Sequence, residues 1–173
     1  MAASRQRARA SESTHLVIDG RRWRKSDPNI PEKLRSELVH ALMDARRGVL
    51  AAKRAADPAA EQAARARVQD AKLALGERGE PYWEERSEAG QRKRAAATIR
   101  ALLSHRAACS GGATICPSDV ARTIGGETWR ECMALVREVA AGLVERGQLR
   151  VLQRGREVAI DQVRGPIRFA LSR

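Results

Sequence analysis

Arg154-Gly155-Arg156, followed by Arg164 and Arg168, places several guanidinium groups on one short β-prone stretch. A guanidinium stays charged at any working pH and presents a planar fork of donors that fits phosphate oxygens. Such a run suits it to gripping a polyanion. Arg122, Arg130 and Arg137 lie upstream in helical pattern and extend the same chemistry. A second cluster, Arg21-Arg22-Trp23-Arg24-Lys25, sets cations around an indole. Cations can hold a backbone while an exposed ring stacks on a base. Strand alternation puts Arg22 and Arg24 opposite Trp23, which favours a core position for that ring.

Other chemistries are less well supported by spacing. His105 and Cys109 share a helical face, and with Cys116 and Cys132 they form a conceivable metal set. The close Cys-x-x-Cys pairing of structural zinc is missing, so no metal or cofactor is expected. Cys116 stands before Pro117-Ser118 at a helix start, where the helix dipole can lower a thiol pKa. No base motif accompanies it, and there is no Gly-rich phosphate cradle, H-E-x-x-H or serine elbow. Packed, small apolar cysteines and a non-catalytic protein are the expectation.

The bulk composition agrees with an anionic partner. Net charge is +12 over 173 residues, with a pI near 11.0. Residues 1–94 carry 21 basic and 14 acidic groups, and 95–173 carry 12 and 7, so the excess is spread along the chain. That balance favours nucleic acid and long-range steering toward it. No apolar run approaches the length of a membrane span, and residues 1–10 lack the apolar segment of a secretory signal. With no membrane contact and an odd, sparse set of three cysteines, the expected compartment is the cytoplasm. Aromatics make up only 3%, which predicts two modest cores rather than one large one.

The elements that must carry these residues follow from period and punctuation. Residues 1–14 read as a disordered basic tail. Asp19-Gly20 between β-prone stretches predicts a hairpin. A helix over about 31–55 follows, with Leu34, Leu38, Leu42, Ala45 and Val49 on one stripe. Asp57-Pro58 reads as the cap and first-turn proline of a second helix, striped by Ala64, Val68, Ala71 and Leu75 and ended at Gly76. That alanine-heavy stripe buries little area, so Trp23, Tyr82 and Trp83, or a second protomer, are expected to close over it. Residues 84–94 are polar and unpatterned, a candidate linker that can run into the next helix.

Residues 95–107 predict a helix with Ile99, Leu102 and Leu103 inward, broken at Gly111-Gly112. A short β-prone stretch at 113–116 follows. Ser118 is then the expected cap of a helix through Ile124, and Gly125-Gly126 makes a tight turn. Thr128 and Glu131 read as a capping box for a third helix ending at Gly147. Its inward stripe is Trp129, Met133, Val136, Ala140 and Leu143. A two-residue turn at Arg154-Gly155 sets Val151 opposite Val158 and Leu149 opposite Ile160, all on one side of the pleat. Ile167, Phe169 and Leu171 alternate as a last strand. On the third helix, Glu131, Glu138 and Glu145 fall in a line away from the core stripe. Carboxylates aimed at phosphates repel them, so the helix offers its arginine flank, or the wing dominates, or the module binds protein instead.

Two resemblances sit on these residues. Thr114 through Arg122, Gly125-Gly126, Trp129-Arg130, Met133, Val151-x-Gln-Arg-Gly155 and Arg164-Gly165-Pro166-Ile167-Arg168 resemble a bacterial family of unknown function (domain of unknown function 3253) with a winged-helix-like fold. The resemblance implies that fold over roughly the last 75 residues, and no activity. Val17 through Arg24, with Ala71 through Pro81, resembles short bacterial proteins labelled Tol biopolymer transporter.

The expected fold class is mainly α with small β. Residues 15–83 form a β-hairpin plus an antiparallel helical hairpin, 84–94 a linker, and 95–173 a winged helix-turn-helix. The expected function is non-catalytic binding of nucleic acid, DNA first, through arginine–phosphate contacts by Arg122, Arg130, Arg137, Arg154, Arg156, Arg164 and Arg168, with Arg21, Arg22 and Arg24 in front. The alternative is a protein-interaction adaptor that docks through its helical hairpin and glutamate face, with homo-oligomerisation or a protein partner at that hairpin.

Overall fold

The computed structural model describes residues 14–110 and 114–172. The expected basic tail, apart from Thr14, and the Gly111-Gly112 helix break lie outside the described residues. The chain is mainly helical, with two small antiparallel sheets. Strands β1 (His15–Ile18) and β2 (Arg21–Arg24) pair Leu16 with Trp23 and Ile18 with Arg21. Their turn has positive φ at both Asp19 (50°) and Gly20 (72°), the tight primed geometry that Asp-Gly favours.

Helix α1 (Glu32–Arg54) and helix α2 (Pro58–Ala74) form the helical hairpin. Asp57 accepts a hydrogen bond from the Ala60 N–H at 2.9 Å and so caps α2 as expected. Ala64, Ala71 and Leu75 are fully buried. They are covered by α1 on one side and by α3 (Glu88–Ser110) on the other. The expected aromatic lid reaches only the end of α2, where Tyr82 faces Gly76 and Trp23 lies beside Lys72. A third helix packed along the stripe replaces it, because small alanine side chains let helix backbones approach closely.

The candidate linker runs into helix α3. Residues 88–94 are its first two turns, and Arg94 is buried. The helix contacts α1, α2, α4 (Pro117–Gly125) and α5 (Met133–Glu145). One buried cluster runs from Ile30 and Leu38 through Ile99 and Leu102 to Val136 and Phe169, where two cores were expected. Two arginines of α3 fasten this junction. Arg94 Nη2 donates to Asp27 Oδ2 at 2.9 Å, and its Nε donates to the Ala74 carbonyl. Arg106 bridges Glu37 of α1, Asp119 of α4 and the Thr114 carbonyl. Burial, the largest effect, lowers the Arg94 pKa despite Asp27 beside it.

The helix starts differ from expectation. Cys116, not Ser118, is the N-cap of α4, because Pro117 occupies the first helical position. Asp119 Oδ2 accepts from the Cys116 N–H. The Thr128–Glu131 capping box does not form either. Gly126–Thr128 is a single 3₁₀ turn, and i→i−3 bonds continue through Met133 before α5 begins. Thr128 Oγ1 donates to the Gly125 carbonyl instead. The turn closes tightly at Gly125: an added Cβ would stand 2.7 Å from Cys132 Sγ, so the thiol would have to move.

The second sheet has order β4-β3-β5, from β3 (Leu149–Gln153), β4 (Arg156–Glu157) and β5 (Arg168–Leu171). The Arg154-Gly155 turn forms with φ of 51° and 79°, and the Val158 N–H bonds the Val151 carbonyl. Leu149, however, pairs with Leu171 of β5 rather than with Ile160. Ile115 bridges Phe169, adding the short stretch after α3 to the far edge. The expected apolar alternation of the last strand holds at Ile167 and Phe169, while Leu171 is exposed.

Candidate nucleic-acid interface

An arm spanning residues 154–167 leaves β3, folds back as β4 and returns to β5. Gln153 organises it. The Gln153 backbone pairs with Arg156, and its Nε2 donates to the Arg164 carbonyl at 2.8 Å and the Pro166 carbonyl at 3.3 Å. Three exposed arginines, Arg154, Arg156 and Arg164, are thereby gathered around one residue at the end of the sheet. Arg137 on α5 donates to the Val163 carbonyl at 3.0 Å and anchors the arm to the helix. Its guanidinium is therefore a strut. Arg168 has a similar structural duty, donating to the Thr114 side chain and carbonyl. Both carry charge to the neighbourhood, but their donors are partly used.

Arg122 and Arg130 meet at an indole. Their guanidinium carbons stand 4.8 and 4.7 Å from the centroid of the Trp129 ring. Trp129, expected on the inward stripe, is half-buried, and it also props two cations at the turn between α4 and α5. The turn residues alone gave no sign of this, since Arg122 lies a helix earlier. Gln153 was missed as well, although it stands directly before the Arg-Gly turn.

The ion pairs of the described residues sharpen the selection. They draw in Arg35, Arg47, Arg65, Arg92, Arg94, Arg100 and Arg106, and none involves Arg122, Arg130, Arg154, Arg156 or Arg164. Arg92 holds both Glu88 and Glu138. Those hydrogen bonds, Glu138 first, raise the Arg92 pKa. The middle carboxylate of the acidic line on α5 is thus turned toward α3 and paired, while Arg137 of the same helix points to the arm.

The front cluster divides. Arg24 donates to the Gly76 and Gly79 carbonyls at 3.3 and 3.0 Å and lies over the Trp83 ring at 5.2 Å, so it ties the hairpin to the end of α2. Arg21 and Arg22 are exposed. Trp23 is not the core residue that alternation favoured: it is 43% exposed, with Lys72 Nζ 5.2 Å from its centroid.

The cysteines lie apart. Cys109 Sγ is 3.9 Å from His105 Nε2, Cys116 Sγ accepts from Ser118 Oγ at 2.9 Å, and Cys132 packs on Gly125. Among the described residues no group of three or more His, Cys, Asp or Glu is placed to hold a metal, and no helix is long and apolar enough to cross a membrane. No curated protein matches the chain. Residues 92–172, which hold α3 beyond its first turn, α4, α5 and the three-stranded sheet, match the model of a family described as a protein of unknown function (DUF3253).

Proposed function

We propose that α3 through β5 is a winged helix whose arm, residues 154–167, is a wing that binds duplex DNA through arginine–phosphate contacts. The order helix, bridge, helix, helix, antiparallel strands supports the fold reading. One observation carries the functional reading: Arg154, Arg156 and Arg164 gather around Gln153 and take part in none of the ion pairs of the described residues. Arg122 and Arg130 at Trp129 supply further phosphate contacts. Helix α5 contributes little base readout, because its most exposed side chains are Ala134, Glu138 and Glu145. Binding is therefore tolerant of sequence and steeply salt-dependent.

A mobility-shift titration of an arbitrary duplex tests this. The duplex shifts at micromolar protein in low salt and is released at moderate salt. No shift in low salt overturns the reading. The adaptor alternative is weakened by the engagement of Glu138 with Arg92; its remaining support is the exposed apolar pair Val39 and Leu50 on α1.

A further inference from the structure

The front of the molecule holds an open cleft of about 850 Å³ between the β1–β2 hairpin and the ends of the helical hairpin. One face of the hairpin supplies its apolar wall. Leu16, Ile18 and Trp23 share that face by register, and they are 50%, 53% and 43% exposed. On the opposite face His15 and Arg24 pack on Trp83, and Val17 is 69% exposed. An isolated two-stranded hairpin does not leave three large apolar side chains in water without cost. Three such side chains on one face, backed by a cleft, mark a binding surface.

The charge on the cleft identifies its occupant. Arg21, Lys25, Arg35, Arg46 and Lys72 line it beside Arg24, against the carboxylates Asp19 and Glu77. Glu77 is already engaged by Ser26 Oγ at 3.0 Å and Lys72 Nζ at 3.2 Å. Arg35 is paired with Glu32. Arg21 and Arg46 enter none of the ion pairs of the described residues. Lys72 covers one face of the Trp23 ring, and the residue is 43% exposed, so part of the ring faces solvent. A flat apolar group and a strong negative charge repeated along one chain describe single-stranded nucleic acid, whose unstacked bases find aromatic platforms while cations track the backbone.

We propose that this cleft binds single-stranded nucleic acid, with a base stacked on Trp23 beside Leu16 and Ile18, and phosphates held by Arg21 and Arg46. No residue of the arm lines the cleft, so the site does not depend on duplex binding there. It gives the front half a role of its own.

The experiment uses the full chain with labelled short oligo(dT) and oligo(rU), followed by anisotropy and by tryptophan quenching. Trp23→Ala lowers affinity about tenfold or more, the contribution of one stacked base, and removes most of the quenching. Arg21→Glu with Arg46→Glu, both at exposed positions, weakens binding and leaves thermal unfolding near that of the parent. Arg154→Gln with Arg156→Gln leaves strand binding unchanged. Either strand behaving so supports the proposal, and a difference between them assigns the sugar. Three results overturn it: parental affinity in Trp23→Ala, loss that follows the arm variant instead, or equal displacement by poly-glutamate, which makes the cleft a general polyanion surface.

Discussion

A guanidinium without a carboxylate beside it is the unit from which the proposed interface is built, and the structure sorts the arginines on that criterion. Arg24, Arg137 and Arg168 are spent on backbone carbonyls or on Thr114, whereas Arg154, Arg156 and Arg164 are not paired with an acid among the described residues. Cysteines sort the same way. Burial, the largest effect, raises the Cys132 thiol pKa, while Cys109 is exposed. A thiolate is the reactive form, so at mildly alkaline pH iodoacetamide labels Cys109 well before Cys132, as read by peptide mass spectrometry; Cys132 reacting first contradicts the packing against Gly125. Much of this residue-level sorting was hidden in the sequence. Arginine type and spacing announce a cationic surface, but the carbonyls that consume Arg24 and Arg137 come from segments 52 and 26 residues away. No local pattern reveals them.

Elements were more legible where a turn needs a particular backbone. Asp19-Gly20, Arg154-Gly155 and Asp57-Pro58 marked their turns and cap because positive φ and helix N-termini tolerate few residue types. The misread starts of α4 and α5 have the opposite origin. Ser118 and the Thr128/Glu131 pair satisfy the pattern of a cap, but Pro117 advances one helix start and the 3₁₀ turn at Gly126–Thr128 delays the other. The polar run 88–94 hid a helix because Arg94 faces inward. There, Asp27 joins the hairpin, the end of α2 and the start of α3: its N–H bonds the Leu75 carbonyl and its carboxylate takes Arg94 and Asn29. Removing one partner of a buried pair leaves an uncompensated charge. Asp27→Ala therefore lowers the free energy of unfolding in urea by about 3–5 kcal/mol. Arg94→Met with Asp27→Leu recovers most of that loss. A change under about 1 kcal/mol in Asp27→Ala, typical of an exposed pair, contradicts the assignment.

At the scale of the whole molecule, α3 makes one body of what composition suggested would be two. The core is continuous from Ile30 to Phe169, and the net charge of +12 surrounds it. Charge number alone does not make an interface; convergence does. No residue of the arm lines the front cleft, and this predicts separable binding activities. The central claim is that the arm contacts duplex phosphates, and the salt dependence of duplex affinity counts those contacts, since each one releases counterions with a slope of about 0.9 in log affinity against log salt. The decisive measurement is that slope for the parent and for Arg154→Gln/Arg156→Gln/Arg164→Gln. The account predicts a slope shallower by about three in the variant. An identical slope in the two proteins contradicts it.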